Sequence, residues 1–123
     1  MKAFKDDIPI YLQLRQQIEE QILARALIEE DRLKSLREMA AEYRINPITA
    51  GNAVNALVEE GILYHKRGIG IFVSPGARAK IIASRKNSFI QESLEPSLRL
   101  AKNYEIPKEE VISKVHSVYG EEK

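Results

Sequence analysis

The chain of 123 residues contains no cysteine, which excludes disulfides, thiolate metal sites, iron–sulfur clusters and cysteine nucleophiles, so packing alone must hold the interior. Histidine is scarce as well. His65 and His116 are the only two, they lack the His-x-x-x-His spacing of a zinc site, and both read as surface or packing residues. No apolar run approaches the ~20 residues of a membrane span, and the first ten residues lack the apolar core and cleavage pattern of a signal peptide. These absences predict a cytoplasmic protein with no metal, no cofactor and no membrane association. An excess of one charge is also missing: 19 Lys plus Arg face 18 Asp plus Glu, for a net charge of +1. That balance excludes both a basic nucleic-acid tail and an acidic disordered chain. Repeats and low-complexity runs are absent, and the length suits one small globular domain with a modest extension rather than a multidomain enzyme.

Acid is missing locally. Residues 62–90 hold no Asp or Glu but carry Lys66, Arg67, Arg78, Lys80, Arg85 and Lys86, the most basic stretch of the chain. Residues 1–76, by contrast, hold ten Lys plus Arg and eleven Asp plus Glu, a balance of −1 that argues against strong nonspecific polyanion binding. Enzyme chemistry finds no foothold. Gly68-x-Gly70 lacks the third glycine and following helix of a dinucleotide loop, and Lys66 is not in a phosphate-binding-loop context. The carboxylate pairs Glu19-Glu20, Glu29-Glu30, Glu59-Glu60 and Glu109-Glu110 are sequence neighbours, which do not face each other on a helix.

What is present is helical periodicity followed by a short β-rich pair. Ile10, Leu14, Ile18 and Ile22 recur every fourth residue, with Gln13, Arg15, Gln16, Glu19 and Glu20 on other faces, as an amphipathic helix requires. Pro9 suits its first turn. Residues 27–34 are charged and irregular. Ser35-Leu36-Arg37-Glu38 then matches a capping box, in which Ser and Glu satisfy each other's orphan backbone donors. The short helix it starts has Leu36, Met39, Ala40 and Tyr43 on one face and stops near Arg44. Asn46-Pro47 reads as a fresh N-cap with proline at the first position. The third helix turns Ala50, Ala53, Val54, Leu57 and Val58 inward and ends at Gly61. A hairpin follows, with strands over residues 62–67 and 71–73 joined across Gly68-Ile69-Gly70, and it must pack on the helices because two strands alone are marginal. Ser74-Pro75-Gly76 marks the end of this module, dividing the chain at residues 1–76 and 77–123. Beyond it Ile82, Phe89, Ile90, Leu94, Leu98 and Ala101 form a helical stripe over residues 78–103 that Pro96 should kink or interrupt. A last helix from Pro107 carries Glu109 and Glu110 in its first turn and buries Val111, Val115 and Val118.

Three helices followed by a hairpin constitute a winged helix-turn-helix, a mainly α fold whose third helix can lie in a DNA major groove. On that third helix the outward set is Ile48, Thr49, Gly51, Asn52 and Asn55. Asn pairs bidentately with adenine, Thr or Ile touches a thymine methyl, and Gly51 lets DNA approach the backbone. In the wing, Lys66 and Arg67 flank Gly68 and bring cations to a groove wall. A purely structural reading stands beside each of these. Ser35, Glu38, Asn46 and Pro47 are capping residues, Asn52 and Asn55 suit a solvated face, Gly68 and Gly70 are required by the turn, and Arg78, Lys80, Arg85 and Lys86 either touch flanking DNA or coat the linker helix.

The stretch from Ile8-Pro9-Ile10-Tyr11 to Val73 resembles the DNA-binding domain of the GntR family of bacterial transcription regulators. The resemblance rests on that opening, on Asp31-Arg32-Leu33, Ser35-Leu36-Arg37-Glu38-Met39-Ala40, Asn46-Pro47-Ile48-Thr49, Leu57-Val58-Glu59-Glu60-Gly61 and Arg67-Gly68-Ile69-Gly70-Ile71-Phe72-Val73, in this order and spacing. The Ile-Asn-Pro-x-Thr form and the short tail are similar to the YtrA-like subfamily, whose C-terminal helices dimerise. The resemblance implies that Arg37 contacts DNA backbone or bases, that the start of the third helix enters the major groove, and that the wing tip around Gly68 and Gly70 approaches the minor groove, with Ser35 and Pro47 counted among the DNA-binding residues. Family members commonly have proline where Lys34 stands and arginine where Gly51 or Asn52 stands, so monomer binding is expected to be weak and to depend on dimerisation. The tail cannot enclose Phe89, Ile90, Leu94, Leu98, Val111, Val115 and Val118 by itself. The expected partner is a second copy, giving a homodimer on palindromic double-stranded DNA, in the manner of a repressor. Two other readings stand: a winged-helix protein-interaction module with little DNA binding, and a regulator that senses a small-molecule effector at the dimer interface.

Overall fold

The computed structural model describes residues 7–120; the outer ends of the two expected segments, residues 1–6 and 121–123, lie outside the described residues. In chain order the elements are α1 (Ile10–Leu23), α2 (Leu36–Tyr43), α3 (Pro47–Glu59), β1 (Leu63–Lys66), β2 (Gly70–Val73), α4 (Ala77–Phe89), a π-helical turn (Ile90–Leu94), α5 (Glu95–Asn103) and α6 (Lys108–Tyr119). This is the mainly helical winged helix-turn-helix that the periodicity predicts. The chain forms two compact units, one running through Ala83 and the other starting at Ser84.

In the first unit Leu14, Ile18 and Ile22 of α1, Met39 of α2, Ala50, Ala53, Val54 and Leu57 of α3, and Leu63, Ile71 and Val73 of the hairpin make one core. The small residues Ala50 and Ala53 let α1 and α3 approach closely. The stripe on α1 is not quite the predicted one. Ile10 is exposed, whereas Gln13 and Glu19, expected on solvent faces, are buried. Each has a local reason: Gln13 Nε2 donates to the carbonyl of Ile8 at 2.7 Å, and Glu19 lies 3.5 Å from Arg15 Nε, which also pairs with Glu60 at the end of α3. Buried polar groups persist where such partners exist.

The capping chemistry is as read from the sequence. Ser35 accepts from the Glu38 N–H at 3.0 Å while Glu38 accepts from the Ser35 N–H at 2.8 Å. Arg44 closes α2 in the left-handed conformation. Asn46 caps α3 with Pro47 in its first turn, and Gly61 follows α3 at φ +78°. Pro9, expected inside the first turn of α1, is its N-cap instead.

The hairpin pairs Leu63 with Val73, Tyr64 with Phe72, His65 with Ile71 and Lys66 with Gly70. Arg67 therefore belongs to the turn and Gly70 to the strand. Residues 30–33, read as irregular, run antiparallel along the other edge of β2: Leu33 N–H donates to Ile71 at 2.8 Å and Val73 N–H to Asp31 at 3.0 Å, with Arg32 opposite Phe72. A third strand segment thus steadies a hairpin that would be marginal as two. The first unit also continues past the Ser74-Pro75-Gly76 break, because Ala77 and Ile81 enter the core and two α4 cations bind carbonyls at helix ends. Arg78 Nε donates to Leu23 at 3.0 Å, and Lys80 Nζ to Gly61 at 3.1 Å. This is a favourable use of cations at helix C-termini, and it assigns these two residues to the protein's own backbone.

The second unit holds the rest of α4, the π turn, α5 and α6. Pro96 does not break the helical run. It lacks an N–H and would crowd the preceding turn, and the chain absorbs this by widening Ile90–Leu94 into a π turn in which the Glu95 N–H reaches back to Ile90. Among the described residues neither α5 nor α6 buries any side chain, so Val115 and Val118, expected inside, are exposed in the single chain, Val118 to 82%.

Candidate nucleic-acid interface

The site is built from the first turn of α2, the outer face of α3 and the wing. Asn46 Oδ1 accepts the Ile48 N–H at 2.8 Å, which fixes the start of α3 so that Ile48 projects into solvent at 73% exposure. Asn52 and Asn55, one and two turns further on, are exposed, and Thr49 is half-buried. Gly51 departs from the outward set. A side chain there would point at α2, its Cβ 3.7 Å from Leu36 Cδ1, an ordinary packing distance. The helix turns this position against its neighbour, not toward solvent.

Ser35 and Glu38 are engaged with each other's backbone. Those bonds, the backbone one first, hold the Glu38 carboxyl below the usual carboxylate range. Arg37, next to the cap, is exposed. Lys34 is bound to Glu42 at 2.7 Å, and that hydrogen bond together with the carboxylate's charge raises its pKa. Lys34 therefore serves the protein's surface.

In the wing, Ile69 N–H donates to Lys66 at 2.9 Å and Gly68 takes φ +76° with open space around it. The turn requires glycine there because an L side chain strains at that φ. Lys66 Nζ lies 4.7 Å from the centre of the Phe72 ring, which stacks on Tyr64, so this cation is held on an aromatic face. Gly70 is the first residue of β2 and not part of the turn, yet its φ of +156° still favours glycine. A Cβ on it would fall 2.8 Å from Arg32 Nε. Two residues that sequence reasoning did not single out also reach this surface: Ile69, 54% exposed at the wing tip, and Arg32. The cue for Arg32 lay in its alternation with Leu33, which is buried while Arg32 is exposed.

Between the wing and the start of α2 lies an open cleft of about 570 Å³, lined by Ser35 and Leu36, by His65 to Ile71, and by Arg32 and Leu33. Arg32, Lys66 and Arg67 contribute to it, and no carboxylate does. Leu36, which lines this cleft, is also the residue that a Cβ at Gly51 of α3 would meet. The carboxylates that the structure engages lie outside this lining: Glu60 with Arg15, Glu42 with Lys34, Glu30 with the Tyr64 hydroxyl and Asp31 with the Ile28 N–H.

The tail residues fall in the second unit. Phe89 ends α4, Ile90 and Leu94 lie in the π turn, Leu98 is in α5, and Val111, Val115 and Val118 are in α6. All except the half-buried Val111 are exposed. Among the described residues no group of three or more His, Asp or Glu side chains could hold a metal ion, and no helix is long and apolar enough to cross a membrane.

Residues 10–73 match the model of the bacterial regulatory proteins of the gntR family. The chain is 32% identical over 109 residues to an uncharacterized HTH-type transcriptional regulator, YhcF, of Bacillus subtilis, covering 89% of this chain and 88% of that protein. It is 34% identical over 91 residues to the HTH-type transcriptional repressor YtrA of the same organism, covering 74% and 69%. A GntR family transcriptional regulator from Listeria monocytogenes has a similar structure, with a TM-score of 0.71 at 29% identity over 93% of this chain and 98% of that one. These relatives are transcriptional regulators, a non-enzymatic class. The chain belongs to the GntR family of bacterial regulatory proteins and is a DNA-binding transcriptional regulator related to YtrA and YhcF.

Proposed function

We propose that the protein binds a palindromic operator in duplex DNA as a homodimer and represses transcription by occluding promoter DNA. The observation that carries this reading is the cation-lined, acid-free cleft between the wing and the start of α2. A sugar-phosphate strand suits it, because a cleft of one charge with low-dielectric walls concentrates field lines. In this reading Asn52 and Asn55 offer amides to base edges, Ile48 and Thr49 offer methyl groups to thymine, Arg37, Lys66 and Arg67 contact phosphates, and the Gly68 turn approaches the minor groove. Ser35 and Pro47 act by fixing the two helix starts.

The exposed apolar residues of the second unit support the homodimer. Phe89, Ile90, Leu94, Leu98, Val115 and Val118 leave water on forming an isologous contact, which also relates two recognition helices by a two-fold axis. Linking two half-sites raises the effective concentration of the second, which an α3 face without cations needs. YtrA of Bacillus subtilis is named a repressor, which supports the sign of regulation, and an operator target places the protein in the cytoplasm. A small-molecule effector, in this reading, binds where the two copies meet.

The test is binding selection from random duplexes with the full chain at two salt concentrations. Enrichment of a palindrome with half-sites about 10 bp apart is the expected result. A folded sample that enriches nothing at low salt would sink the proposal and favour a protein-interaction module, the reading suited to the neutral outer face of α3.

A further inference from the structure

We propose that Arg32 is a DNA-phosphate contact of the wing, held in place by the absence of a side chain at Gly70; the proposal rests on the operator-binding reading above. The backbone of Arg32 is fixed on the free edge of β2 by the Leu33 and Val73 hydrogen bonds on either side of it, so its position is set by the sheet and not by a loose loop. Its side chain lies over Gly70. A Cβ at that residue would sit 3.5 Å from Cζ and 2.8 Å from Nε, the latter closer than real Cβ atoms come, so the Arg32 side chain occupies the space a side chain at residue 70 would take. On the other edge of β2, Gly70 pairs with Lys66. Two cations on the two neighbouring segments therefore flank one bare backbone position.

Among the described residues the Arg32 guanidinium has no hydrogen bond and no ion pair, and the carboxylate whose charge it feels, Glu38, already accepts the Ser35 N–H. Arg32 lines the same cleft as Lys66 and Arg67. A planar guanidinium with several unused donors, lining an acid-free cleft, matches a phosphate oxygen pair. No α3 residue lines that cleft, which assigns Arg32 to the DNA backbone, not to a base edge. It sets the seating of the wing and carries no sequence preference.

The experiment measures affinity for the selected operator against salt concentration for the wild type, Arg32→Gln, Arg32→Lys, Gly70→Ala and the Arg32→Gln/Gly70→Ala double variant. Loss of one phosphate contact lowers the slope of log K against log salt by about 0.9, so a fourfold rise in salt weakens Arg32→Gln about 3.5-fold less than the wild type. The sequence selected from random DNA stays the same, and Arg32→Lys regains the slope. Gly70→Ala is strained by the backbone φ of +156° whatever the space around it, so it is read by its salt slope: it displaces the guanidinium and reproduces the Arg32→Gln slope, and the double variant has that same slope, because both changes remove one contact. An Arg32→Gln slope equal to the wild type overturns the proposal and leaves operator binding standing. An additive double variant overturns the role of Gly70, showing that alanine there acts on the wing turn. A wild type that selects no sequence overturns the operator reading itself.

Discussion

Gly51→Ala separates packing from recognition on α3. As an outward residue Gly51 would let DNA approach the helix backbone, and a methyl group there would obstruct it. The geometry argues the opposite, since the new Cβ would meet Leu36 Cδ1 at 3.7 Å, a van der Waals contact that requires no movement. Alanine is better than glycine in a helix interior by about 1 kcal/mol, and part of the roughly 0.8 kcal/mol of a buried methyl group adds to that. The expected gain is about 1 to 1.5 kcal/mol, a rise in Tm of roughly 5 °C for a unit of this size. Far-UV circular dichroism melts of the full chain at one fixed protein concentration measure it, since association would otherwise shift Tm. Affinity for the selected operator should stay within about twofold, a change of ~0.4 kcal/mol. A lowered Tm would refute the placement of this position against α2. A raised Tm with a large loss of affinity would instead restore close DNA approach at Gly51.

Leu94→Glu should convert a dimer to a monomer in sedimentation equilibrium while the melting of the first unit is retained; a dimer that persists would show that the apolar residues of the π turn are not the interface. Asn52→Ala should flatten base preference at one operator position by about 1 to 3 kcal/mol, and selection with the variant that returned an unchanged motif would remove the bidentate contact. Ser35→Ala should cost about 1 kcal/mol of stability through the lost cap, read as a lower denaturation midpoint at pH 7. The cap also carries a pH signature. Because the folded Glu38 carboxyl lies below its ordinary value of 4.5, its contribution is present above that pH and is lost as pH falls through the lower folded value. Glu38→Gln should therefore show a shallower loss of stability on acidification, and an acid limb identical to the wild type would contradict the assignment.

Where local rules act within a few residues, the fold was legible. The Ser35–Glu38 box, the Asn46-Pro47 start and Gly61 at the end of α3 depend on backbone donors and φ values three or four residues away, and each stands where the pattern put it. Errors arose where a distant segment intervened. Glu19 reads as solvated until Arg15 and Glu60 are brought beside it. Residues 30–33 look irregular because their partner, β2, is about forty positions away. Gly70 reads as a turn glycine because nothing in its neighbourhood announces Arg32. Pro96 reads as a disruption, yet whether the helix breaks or widens there depends on the preceding turn, where the Glu95 N–H finds the Ile90 carbonyl.

The amino-acid sequence by itself determined the helix-turn-helix and its wing, the face of α3 that carries Asn52 and Asn55, and the excess of apolar residues in the tail, because periodicity, caps and composition are properties of neighbouring residues. Only the tertiary structure decided which charges remain for a ligand. It placed Arg78 and Lys80 on carbonyls at helix ends, spent Glu30, Glu42 and Glu60 on internal partners, and left Arg32, Lys66 and Arg67 around one cleft. The physical reason is that a charge balance summed along a chain has no position, whereas electrostatic attraction depends on distance and on the dielectric between the groups.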